Sequence, residues 1–314
     1  MKPTVYSCLR CRRHYNTDLV IDSRGCPFCA IVAPSNVFPN TSLEAQRPDE
    51  SSRSKSKTVS SLWRYADRLP VQARDAVSLS EGLTPLVHAE RIGRELGVRD
   101  LFIKDEGRNP TWSHKDRFST VLVSHARASG TKVIATASSG NAGASLAAYA
   151  AAAGISCIVS TFSSTAGAMV SQTRRYGATV IPFRDKGDRW SFLAEGAERY
   201  GWMVASPYHS PVVGSHPIGI TGYKTLAYEI LEQMDGVVPD WCILPVCYGD
   251  ALIGLWQGFK ELAEAGEAIK LPRLVAAEVY GSLAHTLDTK LDTLVDQKVL
   301  DIDDFALIAR NSPG

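Results

Sequence analysis

From about residue 84 of this 314-residue chain, short apolar runs alternate with stretches in which apolar residues recur every three or four positions. The first pattern is typical of buried strands and the second of helices. Repeated β-then-α units predict an α/β fold whose parallel sheet is covered by helices on both faces. The predicted helices are 89–96, 115–129, 141–153, one ending at 176, 223–233 and 252–265, and the predicted strands are 101–103, 132–135, 155–160, 179–183, 241–246 and 274–277.

The chain before this region is different in character. Four cysteines lie within residues 1–33, which predicts a small ribbon domain, and residues 34–61 are mostly polar or charged, which predicts a flexible linker. A short helix is expected to begin at residue 62 and to end before Pro70. The sequence therefore predicts a ribbon (1–33), a linker (34–61) and one large α/β domain divided into two subdomains (62–314).

Charge and composition narrow the range of partners. Thirty-four basic and thirty-three acidic residues leave a formal charge of +1, so neither nucleic acid nor a membrane surface is favoured as a partner. The N-terminal residues lack the apolar run of a secretory signal, and the longest apolar stretch, 142–153, is too short to span a bilayer. We expect a cytoplasmic protein.

The cysteine spacing predicts a metal site. Two C-x2-C pairs are separated by fourteen residues, which matches a tetrahedral site with four thiolate ligands. Such a ribbon can be a structural clip for a small domain or can bind nucleic acid, and the near-neutral charge of the chain favours the clip. The predicted Zn²⁺ ligands are Cys8, Cys11, Cys26 and Cys29.

Three segments contain candidate chemistry. Lys115 follows a turn and opens a predicted helix, where the helix dipole lowers the pKa of an amine, although a solvated surface lysine is the alternative. Residues 138–143 join a strand to a helix and could bind an anion on backbone N–H groups, or could form an ordinary capped turn. Residues 245–251 also join strand to helix, but they contain one glycine and the acidic Asp250.

Together these segments resemble the threonine synthase-like family of fold type II enzymes, which use pyridoxal 5'-phosphate (PLP). Residues 81–86 read E-G-L-T-P-L against the family's E-G-N-T-P-L, and 113–117 read S-H-K-D-R against S-F-K-D-R. The 138–143 segment resembles the family's asparagine loop, and 245–251 is in register with its P-V-G-N-G-G-N phosphate loop. Many members also have an N-terminal cysteine ribbon. The resemblance runs from about Cys8 to Gly281, with the linker excepted.

The resemblance implies a role for each of these positions. Lys115 would hold PLP through a Schiff base and then transfer protons, and Asn141 would hydrogen-bond the phenolic oxygen of the cofactor. The substrate carboxylate would be bound by Ser138, Ser139 and Ala142. The cofactor phosphate would be held by Cys247, Tyr248, Gly249, Asp250 and Ala251.

The implied activity is that of a PLP-dependent lyase of the threonine synthase type, which converts O-phosphohomoserine and water to threonine and phosphate. A related β-elimination or β-replacement enzyme acting on another amino acid is an alternative, and so is a non-catalytic relative. The resemblance also implies a small amino-acid substrate and a structural Zn²⁺. No nucleic-acid or membrane partner is expected, and a homodimer is left open.

Several departures from the family pattern concern the substrate more than the cofactor. His114 stands where the family has Phe, and Trp112 where it has Gly. Residues 221–224 read T-G-Y-K in place of E-G-Q-K, and 247–251 read C-Y-G-D-A. Nothing after residue 278 resembles the family's last βα units. We therefore expect the final layer of the large domain to be missing, either by truncation or because another chain supplies it.

Overall fold

The structure of this chain is a computed structural model, which describes residues 5–15, 24–29, 37–40, 59–165, 167–209 and 213–279. The strands are β1 (Val5–Cys8), β2 (His14–Tyr15), β3 (Val37–Asn40), β4 (Leu86–His88), β5 (Phe102–Lys104), β6 (Val133–Ala137), β7 (Ser156–Phe162), β8 (Thr179–Phe183), β9 (Met203–Val204), β10 (Trp241–Pro245) and β11 (Arg273–Ala277). The helices are α1 (Glu90–Leu96), α2 (Lys115–Ala128), α3 (Asn141–Ala153), α4 (Ala168–Arg175), α5 (Lys186–Tyr200), α6 (Pro217–Ile220), α7 (Lys224–Gln233) and α8 (Asp250–Glu264). Short 3-10 helices cover Leu62–Arg68, Ala73–Asp75, Glu106–Arg108 and Thr221–Tyr223.

The chain divides into two compact units, residues 1–225 and 226–314. Near the N-terminus of the first unit, β1 pairs antiparallel with both β2 and β3. Strand β3 lies within the range 34–61 that the composition predicts as a linker. The predicted boundaries of the ribbon, the linker and the large domain stay predictions.

The main sheet of the first unit has four parallel strands in the order β8-β7-β6-β9. Neighbouring residues of β7 face opposite helices. Ile158 packs against the cluster that contains Leu193 of α5, whereas the Val159 methyl lies 3.0 Å from the position that a Cβ on Gly143 of α3 would take. Successive side chains on a strand point to opposite faces. Helices therefore cover both faces of this parallel sheet, as the sequence predicts.

The strand order contains a switch in direction. From β6 the chain adds β7 and then β8 on one side, and it returns after α5 to place β9 on the other side of β6. In parallel sheets, ligands bind outside the carboxyl ends of the strands at such a point. The segments that follow Ala137 of β6 and Val204 of β9 are therefore the expected walls of a binding crevice.

Two glycines allow the segment before α7 to lie directly on α2. A Cβ on Gly222 would stand 1.9 Å from the backbone oxygen of Arg117, and a Cβ on Gly219 would stand 2.4 Å from the ring of Phe118. A side chain at position 222 could be accommodated only if backbone atoms moved. The segment then ends at Lys224, whose buried ammonium donates to the backbone oxygen of Arg68 at 2.8 Å.

The second unit contains one parallel β-α-β element among its described residues. Strands β10 and β11 pair in parallel, with Cys242 opposite Leu274, and α8 connects them. The backbone N–H of Val246 extends the pairing by donating to the oxygen of Ala277 at 2.9 Å. The hydroxyl of Tyr228 in α7 donates to Glu261 in α8, which ties these two helices together.

The hydrophobic pattern missed β4, α5, α6 and β9. Strand β9 has two residues, and α6 and β4 have four and three, so none is long enough to show a period. Helix α5 contains two glycines and several charged residues, which mask the spacing of the apolar side chains that it packs on the sheet. Among the described helices, none is long and apolar enough to cross a membrane.

Gly222→Ala is expected to lower the free energy of unfolding by about 1–3 kcal/mol, because the new methyl would overlap a backbone oxygen. The measurement is chemical denaturation monitored by circular dichroism. Gly187→Ala is the matched control, since that glycine lies in α5 with open space around it, and alanine there should be neutral or slightly stabilising. Equal stability of the two variants would contradict the close approach.

Candidate functional site

Lys115 is the first residue of α2 and is half-buried. The turn before it closes when the N–H of Trp112 donates to the oxygen of Asn109 at 2.8 Å. The Ser113 hydroxyl then accepts from the backbone N–H of Lys115 at 3.3 Å. Trp112 has a φ of 61°, in the left-handed region, which gives a physical reason for the glycine that the resembled family has at this position. The amine thus stands at a helix N-terminus on a well-defined turn.

Arg117 anchors the first turn of α2 through a forked ion pair with Glu106. Its Nε and Nη2 donate to the two carboxylate oxygens, each at 2.7 Å, and its Nη1 donates to the Thr225 hydroxyl at 2.9 Å. The guanidinium is fully buried. The hydroxyl of Thr84 also donates to Glu106, at 2.6 Å, so the segment 81–86 is held against the start of α2.

Glu81 connects the same segment to two helices. Its fully buried carboxylate accepts from the Tyr149 hydroxyl of α3 at 2.9 Å and lies 2.8 Å from the Thr120 hydroxyl of α2. It also accepts the backbone N–H of Leu79 at 2.8 Å. Burial, together with the charge of Glu81, raises the pKa of Tyr149 well above its ordinary value. This phenol therefore stays a hydrogen-bond donor at all physiological pH values.

Asp116 is a second fully buried carboxylate beside Lys115. One of its oxygens accepts the hydroxyls of Thr111 and Ser145, at 2.5 and 2.6 Å, and the other accepts the backbone N–H of Thr111 at 2.7 Å. Burial raises the pKa of Asp116, while these donors act in the opposite direction. The carboxylate joins the turn before Lys115 to helix α3.

Two aromatic residues flank the lysine. The ammonium of Lys115 lies 6.0 Å from the ring centre of Tyr223, and the imidazole of His114 lies 5.7 Å from the same ring, centre to centre. Burial lowers the pKa of His114 to about 4, and the positive charge of Lys115 adds to the shift. The histidine is therefore neutral at pH 7. Two of the segments that depart from the family pattern, 112–114 and 221–224, meet here.

The loop between β6 and α3 is shaped by Ser138. The Ser138 hydroxyl oxygen accepts from the N–H of Gly140 at 3.2 Å and from the N–H of Gly143 at 2.9 Å. Because the first N–H groups of a helix lack intrahelical partners, those of Asn141 and Ala142 are left to bind an anion. The Asn141 and Ser139 side chains are exposed and make no hydrogen bond within the described chain.

Sequence reasoning missed Ser206, which belongs to the same crevice. Its hydroxyl accepts the backbone N–H of Ala137, the last residue of β6, at 2.8 Å. Ser206 follows β9 and thus lies at the switch point of the sheet, next to the 138–142 loop. No signal in the sequence could have identified it, because β9 is too short to be predicted and its pairing with β6 spans about seventy residues.

The predicted phosphate loop belongs to the second unit. Gly249 has a φ of 84° and precedes α8, which begins at Asp250. Cys247 and Tyr248 are exposed, whereas the side chain of Asp250 is buried. The backbone therefore turns from strand into helix where the sequence predicts it, with an acidic residue in the first helical turn.

The four N-terminal cysteines come together in the first unit. Their sulfur atoms lie within 4.8 Å of one another, with Cys8 to Cys29 at 3.9 Å and Cys11 to Cys26 at 3.7 Å. Four thiolates at about 2.3 Å from a tetrahedral Zn²⁺ would be about 3.8 Å apart. The observed sulfur–sulfur distances are therefore close to those expected around a bound Zn²⁺.

Comparisons with known proteins agree with this geometry. The family model described as pyridoxal-phosphate dependent enzyme matches residues 77–311. Threonine synthase from Methanocaldococcus jannaschii is 34% identical over 281 residues, which cover 88% of this chain and 65% of that protein. Threonine synthase from Methanosarcina acetivorans is 35% identical over 224 residues, covering 71% and 53%. The chain thus spans between about half and two thirds of these relatives' length.

Solved structures show the same fold. A threonine deaminase isoform from Solanum lycopersicum superposes with a TM-score of 0.58 at 21% identity, covering 79% of this chain and 70% of that one. Serine racemase from Dictyostelium discoideum gives a TM-score of 0.55 at 23% identity, covering 66% and 64%. The expected fold class, that of fold type II PLP enzymes, is confirmed. With more than half of its length matched by the family model, the chain belongs to the pyridoxal-phosphate dependent enzyme family.

Proposed function

We propose that this protein is a PLP-dependent lyase of the threonine synthase type, converting O-phosphohomoserine and water to threonine and phosphate. The observation that carries the proposal is the position of Lys115. It opens a helix whose first turn is held by the buried Arg117–Glu106 pair, and Asp116 links that turn to the helix of the 138–142 loop. The identity of 34–35% to two threonine synthases supports the choice of reaction.

The residues of the first unit fit PLP and an amino-acid substrate. The amine of Lys115 would hold the aldehyde carbon of the cofactor and, once freed by the substrate amine, would accept the proton that leaves Cα. Bound PLP supplies a sink for the electrons released at Cα. The Asn141 amide, which has no partner in the described chain, would hydrogen-bond the phenolic oxygen of the cofactor.

The 138–142 loop would bind the substrate carboxylate. Ser139 would contribute its exposed hydroxyl, and the unpaired N–H groups at the start of α3, including that of Ala142, would donate to the carboxylate oxygens. The role of Ser138 is to hold the loop in this shape, because its hydroxyl oxygen already accepts two backbone N–H groups.

The cofactor phosphate would be held by the turn at the start of α8. The backbone N–H groups from Cys247 to Ala251 are available where a left-handed Gly249 precedes the helix, and the helix dipole favours an anion there. Asp250 opposes this through its negative charge, so its buried side chain has to be satisfied by other groups. This is the least favourable part of the proposed site.

A second candidate is a related PLP enzyme that performs β-elimination or β-replacement on another amino acid. The observation that favours it is the contact of His114 with Tyr223 beside Lys115, since both residues replace those of the family pattern. In either case we propose a small amino-acid substrate, a cytoplasmic location and no nucleic-acid or membrane partner, with a homodimer as one assembly to test. The boundaries at residues 33 and 61 belong to the same proposal.

We also propose that Cys8, Cys11, Cys26 and Cys29 hold one structural Zn²⁺. Three of the four side chains are buried in a segment with few apolar residues, so a metal can supply the stability that a small core cannot. The sulfur spacing supports this role.

Borohydride reduction of the PLP-loaded protein is expected to place the pyridoxyl group on Lys115, found by peptide mapping. Lys115→Ala should lose the visible absorbance band and lower phosphate release from O-phosphohomoserine by about 10³-fold or more. Lys132→Ala, at an exposed lysine, is the control and should keep both. An adduct on a different lysine would refute the assignment. Turnover of other amino acids, without phosphate release, would favour the second candidate.

One zinc ion per chain is expected by elemental analysis, and a variant with Cys8→Ser and Cys11→Ser should lose it. The PLP absorbance should survive, because the cysteine cluster acts as an independent clip. Cys157→Ser, at a buried cysteine of β7, serves as the control and should retain zinc. Loss of PLP together with zinc would show that the ribbon is not independent.

His114 predicts a dependence of stability on pH. Its folded-state pKa of about 4 lies below the unfolded value of about 6.5, so the unfolded chain binds more protons between these values. The free energy of unfolding should therefore fall as the pH decreases from 7 to 4.5, by on the order of 2 kcal/mol more in the wild type than in His114→Phe. Urea denaturation at both pH values measures this. His88→Phe, at an exposed histidine, should behave as the wild type.

A further inference from the structure

The carboxylate of Asp116 accepts from three donors and has no contact with solvent. The donors come from two different places in the chain. Thr111 contributes its backbone N–H and its hydroxyl from the turn before Lys115, and Ser145 contributes its hydroxyl from α3. The Ser145 oxygen also lies 2.7 Å from the hydroxyl of Ser119 on α2, which orients it.

The sequence positions of Asp116 and Ser145 show which parts of the site their hydrogen bond connects. Asp116 directly follows the lysine, and Ser145 lies four residues, about one helical turn, after Asn141. A hydrogen bond between Asp116 and Ser145 therefore joins the first turn of the lysine helix to the first two turns of the helix whose N-terminus carries the asparagine loop. Since the turn, α2 and α3 share one carboxylate, none of them can move without breaking a bond to it.

We propose that Asp116 is a positioning residue that sets the separation between Lys115 and Asn141, acting through Ser145, so that one cofactor can meet both side chains. The inference rests on the proposed function. It assigns to Asp116 no contact with the cofactor or with the reacting atoms. If Asp116 acts in this way, the affinity for PLP depends on the hydrogen bond between Asp116 and Ser145, which does not itself contact the cofactor.

Removal of the Asp116 carboxylate leaves this network without its acceptor. All three partners donate to it, but two of them are hydroxyls, which can also accept, so an asparagine amide could still bond to these groups and alanine is the sharper substitution. Hydrogen bonds to a buried charged group are also among the strong ones. Asp116→Ala should therefore release both Thr111 and Ser145, and Ser145→Ala should release only the connection to α3.

The test is a PLP titration of the full chain, followed by absorbance and by the yield of the reduced Lys115 adduct. We expect Ser145→Ala to raise the dissociation constant of PLP about tenfold and Asp116→Ala about 100-fold. Adding Ser145→Ala to Asp116→Ala should cause no further loss, because both changes remove the bond between position 116 and α3. Ser124→Ala is the matched control, since it also removes a buried hydroxyl, in this case one of α2 that is bonded to Val77 and Thr120 rather than to α3, and should bind PLP as the wild type does.

A readout through Asn141 separates positioning from general stability. The double variant Asn141→Ala/Ser145→Ala should have a PLP dissociation constant within about twofold of that of Asn141→Ala alone. Ser145 positions the contact of Asn141 with the cofactor, and that contact is already absent in Asn141→Ala. Ser145→Ala should also shift the visible absorbance maximum in the direction that Asn141→Ala does, while Ser124→Ala should not.

Two outcomes overturn the proposal while leaving the function intact. One is wild-type PLP affinity in Ser145→Ala, and the other is an additive effect of Ser145→Ala and Asn141→Ala. Failure of the wild-type chain to form any Lys115 adduct would overturn the proposed function, and this inference with it. A shared loss of unfolding free energy in Ser145→Ala and Ser124→Ala, with PLP affinity lost only in the former, is the supporting result.

Discussion

The ion pair between Arg117 and Glu106 is the interaction on which the lysine site depends. A fully buried guanidinium is tolerated only because a forked carboxylate and two threonine hydroxyls surround it. Removing one partner of such a pair leaves an unpaired buried charge, which typically costs about 3–5 kcal/mol. Because Arg117 lies two residues after Lys115, this pair prevents the start of α2 from fraying as most helix ends do. The half-buried lysine therefore stands at a helix terminus that is held in place.

Two further buried carboxylates, which bind neutral donors, hold this helix against α3. Glu81 binds Tyr149 of α3 and lies against Thr120 of α2, and Asp116 binds Ser145 of α3. Each carboxylate is fully buried and accepts from at least two donors of different segments, as buried charges require. Such contacts are directional, so they fix the register of α2 and α3 along each other. Apolar packing alone would allow small slides between the two helices.

The sequence could predict the parts of this fold that repeat locally. Apolar runs and helical spacing were sufficient for the parallel β-α units, and the segments around Lys115 and residues 138–143 were recognisable as turns into helices. The partners of Asp116 and the position of Ser206 were not predictable, because each arises from residues far apart in the chain that meet only after the sheet forms. Helix α5 was missed for a different reason, since its glycines and charges hide its apolar face.

Two of the segments that depart from the family pattern lie beside Lys115. Trp112 keeps the left-handed backbone that glycine would adopt with less strain, and its ring is 71% exposed. His114 and Tyr223 form the wall beside the lysine, whereas Glu81, Glu106 and Asp116 bind Tyr149, Arg117 and Ser145. The bonds from these carboxylates to Tyr149, Arg117 and Ser145 involve neither of the two rings. A different ring in the wall can therefore change the chemistry next to the amine while these three bonds stay in place.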